Sequence, residues 1–93
     1  MKLGTVLGAV WATKKLDGLS GKILQAVKTD TGVVIAVDTV GAGTGEQVLL
    51  AFGSAARTAA PGCPADAAIV GILDRAGFFH DAPTGAPSGQ SSR

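Results

Sequence analysis

The sequence divides into short apolar segments rich in strand-forming residues, separated by polar or glycine-containing stretches. Val, Ile, Leu, Thr and Phe dominate these segments, and Gly, Asp or Pro bound them, which is typical of strands rather than helices. Five segments have this character: Leu3–Thr13, Lys22–Lys28, Val33–Val40, Glu46–Phe52 and Ile69–Asp74. The pattern therefore predicts five strands.

The connections are short and differ in kind. Lys14–Gly21 is predicted as a polar loop, and Thr29–Gly32 as a tight hairpin turn. Gly4 and Gly8 lie inside the first strand segment, where interior glycines indicate strong bending, as at the corner of a barrel.

A small helical insertion is predicted after the fourth strand. Ser54 is expected to cap a helical turn over Ser54–Ala60, and the prolines at 61 and 64 prevent its continuation. Asp66 is expected to cap a second brief turn before the fifth strand. Five short strands with one helical insertion predict an all-β fold, a small Greek-key barrel.

The chain is predicted to form one domain, residues 1–80, followed by a tail. Residues 81–93 are rich in Pro, Gly and Ser, and we expect them to be disordered unless something binds them. Phe78 and Phe79, just before the tail, are expected to anchor on the barrel or on a neighbouring subunit.

Composition favours an oligomer. Of the 93 residues, 46% are hydrophobic and only 16% are charged, against about 25% charged in ordinary soluble proteins. A small domain covers so much apolar surface poorly, and contact between subunits would bury the excess.

Charge and cysteine content exclude several classes of partner and site. The net charge of +1 gives no electrostatic case for nucleic acid or an anionic membrane. The single Cys63 excludes an internal disulfide and a cysteine-based zinc site, and it fits a reducing cytoplasm. Leu3–Ala12 is apolar, but glycine interrupts it and it is too short to cross a bilayer.

The loop Gly41–Gly45 carries glycine at alternate positions, as some phosphate-binding loops do. Those loops lead into a helix, whose amino terminus meets the phosphate. Here the following residues form a predicted strand, so we interpret the loop as a tight connection between strands. Asp38 precedes it within an apolar strand, and we expect backbone amides of the loop to donate hydrogen bonds to its carboxylate.

Candidate catalytic groups have plainer interpretations. Asp30–Gly32 matches the Asp-Thr-Gly triplet of aspartic proteases but occupies a predicted hairpin turn. Asp66 and Asp74 lie at element ends. Ser54 and His80 lack the setting of a nucleophile and its base. The sequence therefore predicts no catalytic residue, no cofactor and no metal site.

Several blocks occur in an order and spacing that together resemble one family. They are Val6–Lys14 (VLGAVWATK), Leu19–Lys22 (LSGK), Val37–Glu46 (VDTVGAGTGE), Gly53–Arg57 (GSAAR) and Pro64–Asp74 (PADAAIVGILD). These blocks span nearly all of Met1–Arg75 and resemble the EutN/CcmL family, the vertex proteins of bacterial microcompartment shells.

The resemblance implies an OB-like β-barrel that assembles as a homopentamer and caps a five-fold vertex of a polyhedral shell in the bacterial cytoplasm. It implies hexameric shell proteins as neighbours, encapsulated enzymes as further candidate partners, and no enzyme activity. By the same resemblance, two segments build the ring and a narrow central opening. Their residues are Asp38, Gly41, Ala42, Gly43, Thr44, Gly45, Gly53, Ser54, Ala55, Ala56 and Arg57.

Parts of the chain depart from the family pattern, and other functions stay open. Trp11 stands where a smaller aliphatic residue is expected, and we expect it to pack at a subunit boundary. Gly62, Cys63 and the segment from Phe78 onward lie outside the shared pattern. The alternatives are an OB-type module that binds single-stranded nucleic acid or another oligomeric ligand, and a small enzyme of another kind.

Overall fold

The computed structural model describes residues 1–11, 17–19 and 21–74. Its regular elements are short strands with one helix and one helical turn between them. They are β1 (Lys2–Val10), a 3-10 turn (Asp17–Leu19), β2 (Leu24–Thr29), β3 (Gly32–Asp38), β4 (Gln47–Phe52), α1 (Gly53–Ala59) and β5 (Ala67–Leu73). The five predicted strands and the single helical insertion are confirmed.

The strands form a closed barrel in the order β1-β2-β3-β5-β4. β1 closes it by pairing with β2 along one edge and with β4 along the other. All pairs are antiparallel except β3 and β5, which run parallel with Val37 opposite Ala68 and Asp38 opposite Ile69. Each strand pairs on both sides, but β3 pairs with β5 only at Val37 and Asp38, and β1 pairs with β4 only over Lys2–Thr5.

Alternating side chains fill the barrel, because successive residues of a strand point to opposite faces. Eight buried apolar residues form this main core: Val6, Val27, Ala36, Ala42, Val48, Leu50, Ala67 and Ile69. Leu50 and Ile69 are among its largest fully buried members, each contributing about 1.5–3 kcal/mol relative to an exposed position.

A second cluster joins the helix to the outside of the barrel. Its buried members are Val37, Ala56, Ala60, Cys63 and Ala68. Val37 and Ala68 are opposite one another on β3 and β5, so α1 covers the junction of the parallel pair. The small side chains of Ala56 and Ala60 allow the helix to lie close to the sheet.

The predicted bending of β1 is confirmed next to Gly8. A β-bulge lies between Val6 and Gly8 in the ladder with β2, and bulges sharpen strand curvature. A Cβ atom on Gly4 would lie 2.5 Å from Val27 Cγ1 and 3.0 Å from the Lys28 carbonyl oxygen. Only glycine fits at this tightly packed position of the barrel wall.

The two predicted caps are wrong. The N-cap of α1 is Phe52, which makes no side-chain cap hydrogen bond, and Ser54 lies inside the helix, where its carbonyl accepts a 2.9 Å bond from Thr58 Oγ1. Asp66 caps no second turn, because β5 begins at the next residue, Ala67, which pairs with Phe52. Tertiary pairing with β4 extends the strand beyond its β-branched residues.

Strand ends also differ from the predicted bounds. β1 ends at Val10, whose partner Leu24 is the first residue of β2, and so the predicted start at Lys22 is two residues early. The Thr29–Gly32 hairpin is confirmed, with those two residues paired. The predictions for residues 12–16 and 20, for Phe78, Phe79 and His80, and for the tail 81–93 lie outside the described residues.

Candidate functional site

β3 ends at Asp38, whose carboxylate accepts hydrogen bonds from the backbone amides that follow it. Oδ1 accepts hydrogen bonds from the amides of Val40 at 3.0 Å and Gly41 at 2.9 Å, and Oδ2 accepts one from the amide of Ala42 at 2.8 Å. Asx-type capping of this kind turns a chain sharply. The predicted bonding of Asp38 by loop amides is confirmed, and it explains why β3 ends here rather than at Val40.

Gln25 supports the same loop from inside the barrel. This β2 side chain is buried, and its Nε2 donates to Asp38 Oδ2 at 3.1 Å and to the Ala42 carbonyl at 2.8 Å. The sequence reasoning missed it. The alternation of β2 could have identified it, because Gln25 lies on the same inward face of the strand as Val27 and Thr29. A polar side chain on that face needs a hydrogen-bond partner.

The electrostatics favour an ionised Asp38. Its partial burial would by itself raise the pKa of the carboxyl, but the hydrogen bonds from Val40, Gln25, Gly41 and Ala42 outweigh this and lower the pKa below its ordinary value of 3.8. Donors that point at the charged form stabilise it. At neutral pH the loop is therefore built on a carboxylate.

The rest of the loop is also bonded to the barrel. The Gly43 amide donates to Glu46 Oε1 at 2.6 Å, and the Gly45 amide donates to the Val6 carbonyl at 2.8 Å. Gly41 and Gly45 have φ of 80° and 86°, values that other residues adopt only with strain. Glu46 is a second residue that sequence reasoning did not assign to the loop.

These contacts argue against an anion-binding loop. The amides of residues 40–43 already donate to the carboxylates of Asp38 and Glu46, whereas a phosphate loop keeps such amides free for its ligand. The loop also leads into strand β4, as predicted, and not into a helix.

The loop presents a mixed set of predicted site residues. Ala42 is buried in the main core, with an exposed fraction of 7%, and so it holds the loop to the barrel. The remaining predicted residues of the loop are exposed: Gly41, Gly43, Thr44 and Gly45. At the three glycines the loop therefore exposes backbone rather than side chains.

The second predicted segment forms the first turns of α1. Gly53 has φ of 59° and turns the chain from β4 into the helix, and its amide donates to the Asp66 carbonyl at 3.0 Å. Ala56 is buried against the barrel, whereas Ser54, Ala55 and Arg57 are exposed. Within the described residues, the Arg57 guanidinium has no hydrogen-bond or ion-pair partner.

The two segments meet at the junction of β3 and β5. Ala56 and Val37 belong to one buried cluster, and the next residue along β3 is Asp38, where the loop begins. The loop is further attached to β5 because Thr39 Oγ1 donates to the Ile69 carbonyl at 2.7 Å. The fold therefore places the loop base and the helix side by side.

The other groups considered for catalysis that lie among the described residues are not assembled into a site. Asp30 lies in the hairpin turn as predicted, where its exposed carboxylate meets Lys2 Nζ at 3.3 Å. Asp66 and Asp74 flank β5. No cluster of three or more His, Cys, Asp or Glu suited to a metal ion occurs among residues 1–11, 17–19 and 21–74, and no helix in that part of the chain is long and apolar enough to span a membrane.

Much apolar surface is left uncovered by the subunit. Large hydrophobic side chains that are more than a third exposed are Met1, Leu3, Leu7, Trp11, Ile23, Val33, Ile35, Val40 and Ile72. Trp11 is 90% exposed. Single exposed apolar residues are ordinary, but so many on a barrel this small indicate surfaces that meet other molecules.

This chain is similar in sequence to a family of known proteins. The family described as "Ethanolamine utilisation protein EutN/carboxysome" matches residues 1–74. The bacterial microcompartment shell vertex protein GrpN of Rhodospirillum rubrum is 41% identical over 80% of this chain and 93% of its own. The carboxysome shell vertex protein CcmL of Thermosynechococcus vestitus is 43% identical over 80% and 84%.

A solved structure gives the same result. The structure described as the GrpN pentameric microcompartment shell protein superposes with a TM-score of 0.72 at 43% identity, over 80% of this chain and 94% of that one. The fold is a small closed β-barrel, and the amides of its glycine loop donate hydrogen bonds to the carboxylates of Asp38 and Glu46. This arrangement is that of a structural scaffold. The chain belongs to the EutN/CcmL family.

Proposed function

We propose that this chain is a structural subunit of a bacterial microcompartment shell, in which five copies form a ring that closes a five-fold vertex. The match over residues 1–74 carries the proposal. The two relatives described above are shell vertex proteins, aligned over 84–93% of their length, and one of them is described as pentameric.

The surface of the subunit supports assembly. Its strands close into a barrel, and we assign the contacts between copies to its outward-facing side chains. The exposed apolar residues supply such faces. A ring requires a heterologous contact, in which each subunit uses two different surfaces and the rotation between copies closes.

The candidate site has a mechanical role in this proposal. We assign the exposed loop residues and the exposed side of α1 to the five-fold axis and to the contact between subunits, with Arg57 free to bond a neighbour's carboxylate or carbonyl oxygens. Asp38 and Gln25 hold the loop in one conformation before assembly. A loop that is already ordered loses less conformational entropy when it enters an interface.

In this proposal the chain performs no catalysis, and its partners are other shell components. Hexagonal tiles alone form flat or tubular layers, and five-fold units close them into a polyhedron. The ring would therefore meet hexameric shell proteins at its sides, and enzymes enclosed by the shell on one face. Its location would be the shell of a compartment in the bacterial cytoplasm.

Native mass spectrometry of the purified chain tests the proposal. The expected species contains five copies of the 9.1 kDa chain, and size-exclusion chromatography with light scattering should give the same stoichiometry. A single subunit at high concentration, or a ring of another number, would overturn it. A single subunit that retards a labelled oligonucleotide would instead support the binding-module alternative.

A second experiment tests the vertex role itself. A hexameric shell protein expressed alone is expected to give sheets or tubes, and joint expression with this chain is expected to give closed particles by electron microscopy. Sheets and tubes that persist in the presence of intact pentamers would show that the ring does not close vertices.

A further inference from the structure

The barrel wall has a gap beside the end of β5. β3 pairs with β5 only at Val37 and Asp38, and it ends at the second of these residues. β5 continues beyond Ile69, the partner of Asp38, as far as Leu73, and along this last stretch it pairs with β4. Among the described residues, no strand lies on the other side of β5 after Ile69.

Ile72 shows the effect of this gap on the core. It lies opposite Val48 on β4, and the side chains of directly opposite residues lie on the same face of a sheet. Val48 is fully buried inside the barrel, whereas Ile72 is 42% exposed. An inward-facing isoleucine therefore keeps much of its surface uncovered by the described part of the chain.

The backbone of Ile72 also points toward the gap. The Ile69 carbonyl accepts a hydrogen bond of 3.4 Å from the Thr39 amide, so Ile69 directs its polar groups toward β3 and not toward β4. Along an antiparallel ladder, such pairs alternate with pairs that are bonded to each other. Counting along β4 from Leu50, the partner of Ile69, the next pair of this kind is Val48 with Ile72. The edge of β5 therefore offers the amide and carbonyl of Ile72 to another strand.

The residues that follow β5 have the chemistry of a hairpin turn. Their sequence over 74–77 is Asp-Arg-Ala-Gly. A type I turn favours Asp at its first position and Gly at its fourth. Such a turn, with its fourth residue in the left-handed region, is the usual three-residue loop of a hairpin, and glycine adopts that region without strain. The sequence is therefore suited to reverse the chain directly after β5.

Strand-forming aromatic residues come next. Phe78 and Phe79 are two of the three phenylalanines of the chain, and phenylalanine favours strands. Because successive residues of a strand point to opposite faces, one of two adjacent phenylalanines faces the barrel interior. A strand beside β5 would bring that ring to the uncovered side of Ile72.

We propose that residues 78–80 form a sixth strand, which folds back from the turn at 74–77 and pairs with the open edge of β5. The occupant of this edge is the chain's own continuation, because the turn begins only two residues after Ile72. With a three-residue loop, Phe79 lies opposite Leu73 on the outer face, and Phe78 faces inward and covers Ile72. The strand also closes an edge that would otherwise be open to another chain.

This inference goes beyond the vertex function and holds for a single subunit as well as for a ring. Of the two anchoring sites predicted for Phe78 and Phe79, the barrel and a neighbouring subunit, it selects the barrel of the same chain.

Cross-linking in the full chain tests the proposal. In a Cys63→Ala background, Leu73→Cys combined with Phe79→Cys should form a disulfide on mild oxidation, because opposite residues of paired strands lie about 5.5 Å apart between Cα atoms, a separation that a disulfide spans. The product should migrate as a single chain on a non-reducing gel. Thr31→Cys combined with Phe79→Cys is the control and should stay reduced, since Thr31 lies in the hairpin turn before β3.

Amide hydrogen exchange gives a second readout that leaves both phenylalanines in place. The Ile72 amide should be protected in the wild type, because the sixth strand accepts its hydrogen bond. Gly77→Val should speed its exchange about fivefold or more, since a β-branched residue is strained in the left-handed region. Gly85→Val, the same substitution in the predicted tail, is the matched control and should leave the rate unchanged.

Several results would overturn the proposal. Covalent multimers of the Leu73→Cys and Phe79→Cys chain would place Phe79 against a neighbouring copy. A pair that stays reduced, or an Ile72 amide that exchanges as fast as an unstructured one, would show that no strand covers β5. A disulfide within one chain, in a protein that remains a single subunit, would support the sixth strand and refute the pentamer, so the two proposals fail separately.

Discussion

The carboxylate of Asp38 lies 2.8 Å from the backbone amide of Ala42. This bond joins the last residue of β3 to a residue whose methyl group is buried in the main core. The loop is therefore fastened to the barrel by a charged hydrogen bond and by apolar packing at the same residue. A loop held in this way keeps its shape in the separate subunit.

Replacing Asp38 with Asn should loosen the loop while leaving the barrel folded. Asn keeps one acceptor oxygen but loses the charge and the second acceptor, and so the free energy of unfolding should fall by about 1–2 kcal/mol. Urea unfolding at one fixed protein concentration measures the change, because assembly makes stability depend on concentration. Asp30→Asn is the control, since that exposed ion pair contributes little. Equal losses in the two variants would contradict the role of Asp38.

Stability should depend on pH through the same carboxyl group. The pKa of Asp38 in the folded chain lies below its ordinary value of 3.8, so the unfolded chain binds the proton more readily as the pH falls. The stabilisation is therefore complete above that ordinary value and is lost as the pH falls through the folded pKa.

Urea unfolding from about pH 6 to about pH 3 should show a shallower decline for Asp38→Asn than for the wild type. Parallel curves for the two proteins would show that Asp38 makes no differential contribution.

Gln25 and Asp38 should be energetically coupled. Gln25 Nε2 donates to both Asp38 Oδ2 and the Ala42 carbonyl, so a Gln25→Leu variant removes support from each end of the same loop. In a double-mutant cycle with Asp38→Asn, the two losses should depart from additivity by about 0.5–2 kcal/mol. Additive losses would indicate that the two side chains act on the loop independently.

The axis assignment predicts weaker rings when its exposed residues change. Gly43→Leu places bulk where, among the described residues, a Cβ would meet only the Glu46 side chain, with Oε1 at 3.5 Å and Cδ at 4.0 Å, so the barrel should stay folded while neighbouring loops are pushed apart. Arg57→Ala should weaken the ring by removing a bonding group, at a cost of about 1–3 kcal/mol if its partner is charged. Light scattering across a dilution series measures both variants. Fully stable rings in both would remove these residues from the subunit contact.

The comparison of sequence and structure shows where local patterns suffice. Strand-forming residues bounded by turns located every strand of the barrel, and the irregularity in β1 lies next to Gly8, where a bend was predicted. The position of Asp38 in an apolar strand indicated that nearby amides would donate hydrogen bonds to its carboxylate, because a partly buried charge needs donors. In each case the cause lies within a few residues along the chain.

Other features depended on partners distant in sequence. Ala67 and Ala68 form a strand because they pair with Phe52 and Ala51, although alanine alone favours helix. Ser54 failed as a cap because the turn at Gly53 starts the helix one residue earlier. Gln25 contacts the loop because the antiparallel pairing of β2 and β3 places Leu24 opposite Val37, next to Asp38.

The sequence by itself determined the class of fold, the number of strands and the family, because turn chemistry, alternation and ordered motif blocks are written along the chain. Only the tertiary structure decided which glycines have room for a side chain. Gly4 and Gly71 look alike in sequence, both inside apolar strands. A Cβ atom on Gly4 would lie 2.5 Å from Val27 Cγ1, whereas on Gly71 the nearest contact given by the described residues is Leu49 Cβ at 3.7 Å. That difference depends on which distant side chains a closed barrel brings together.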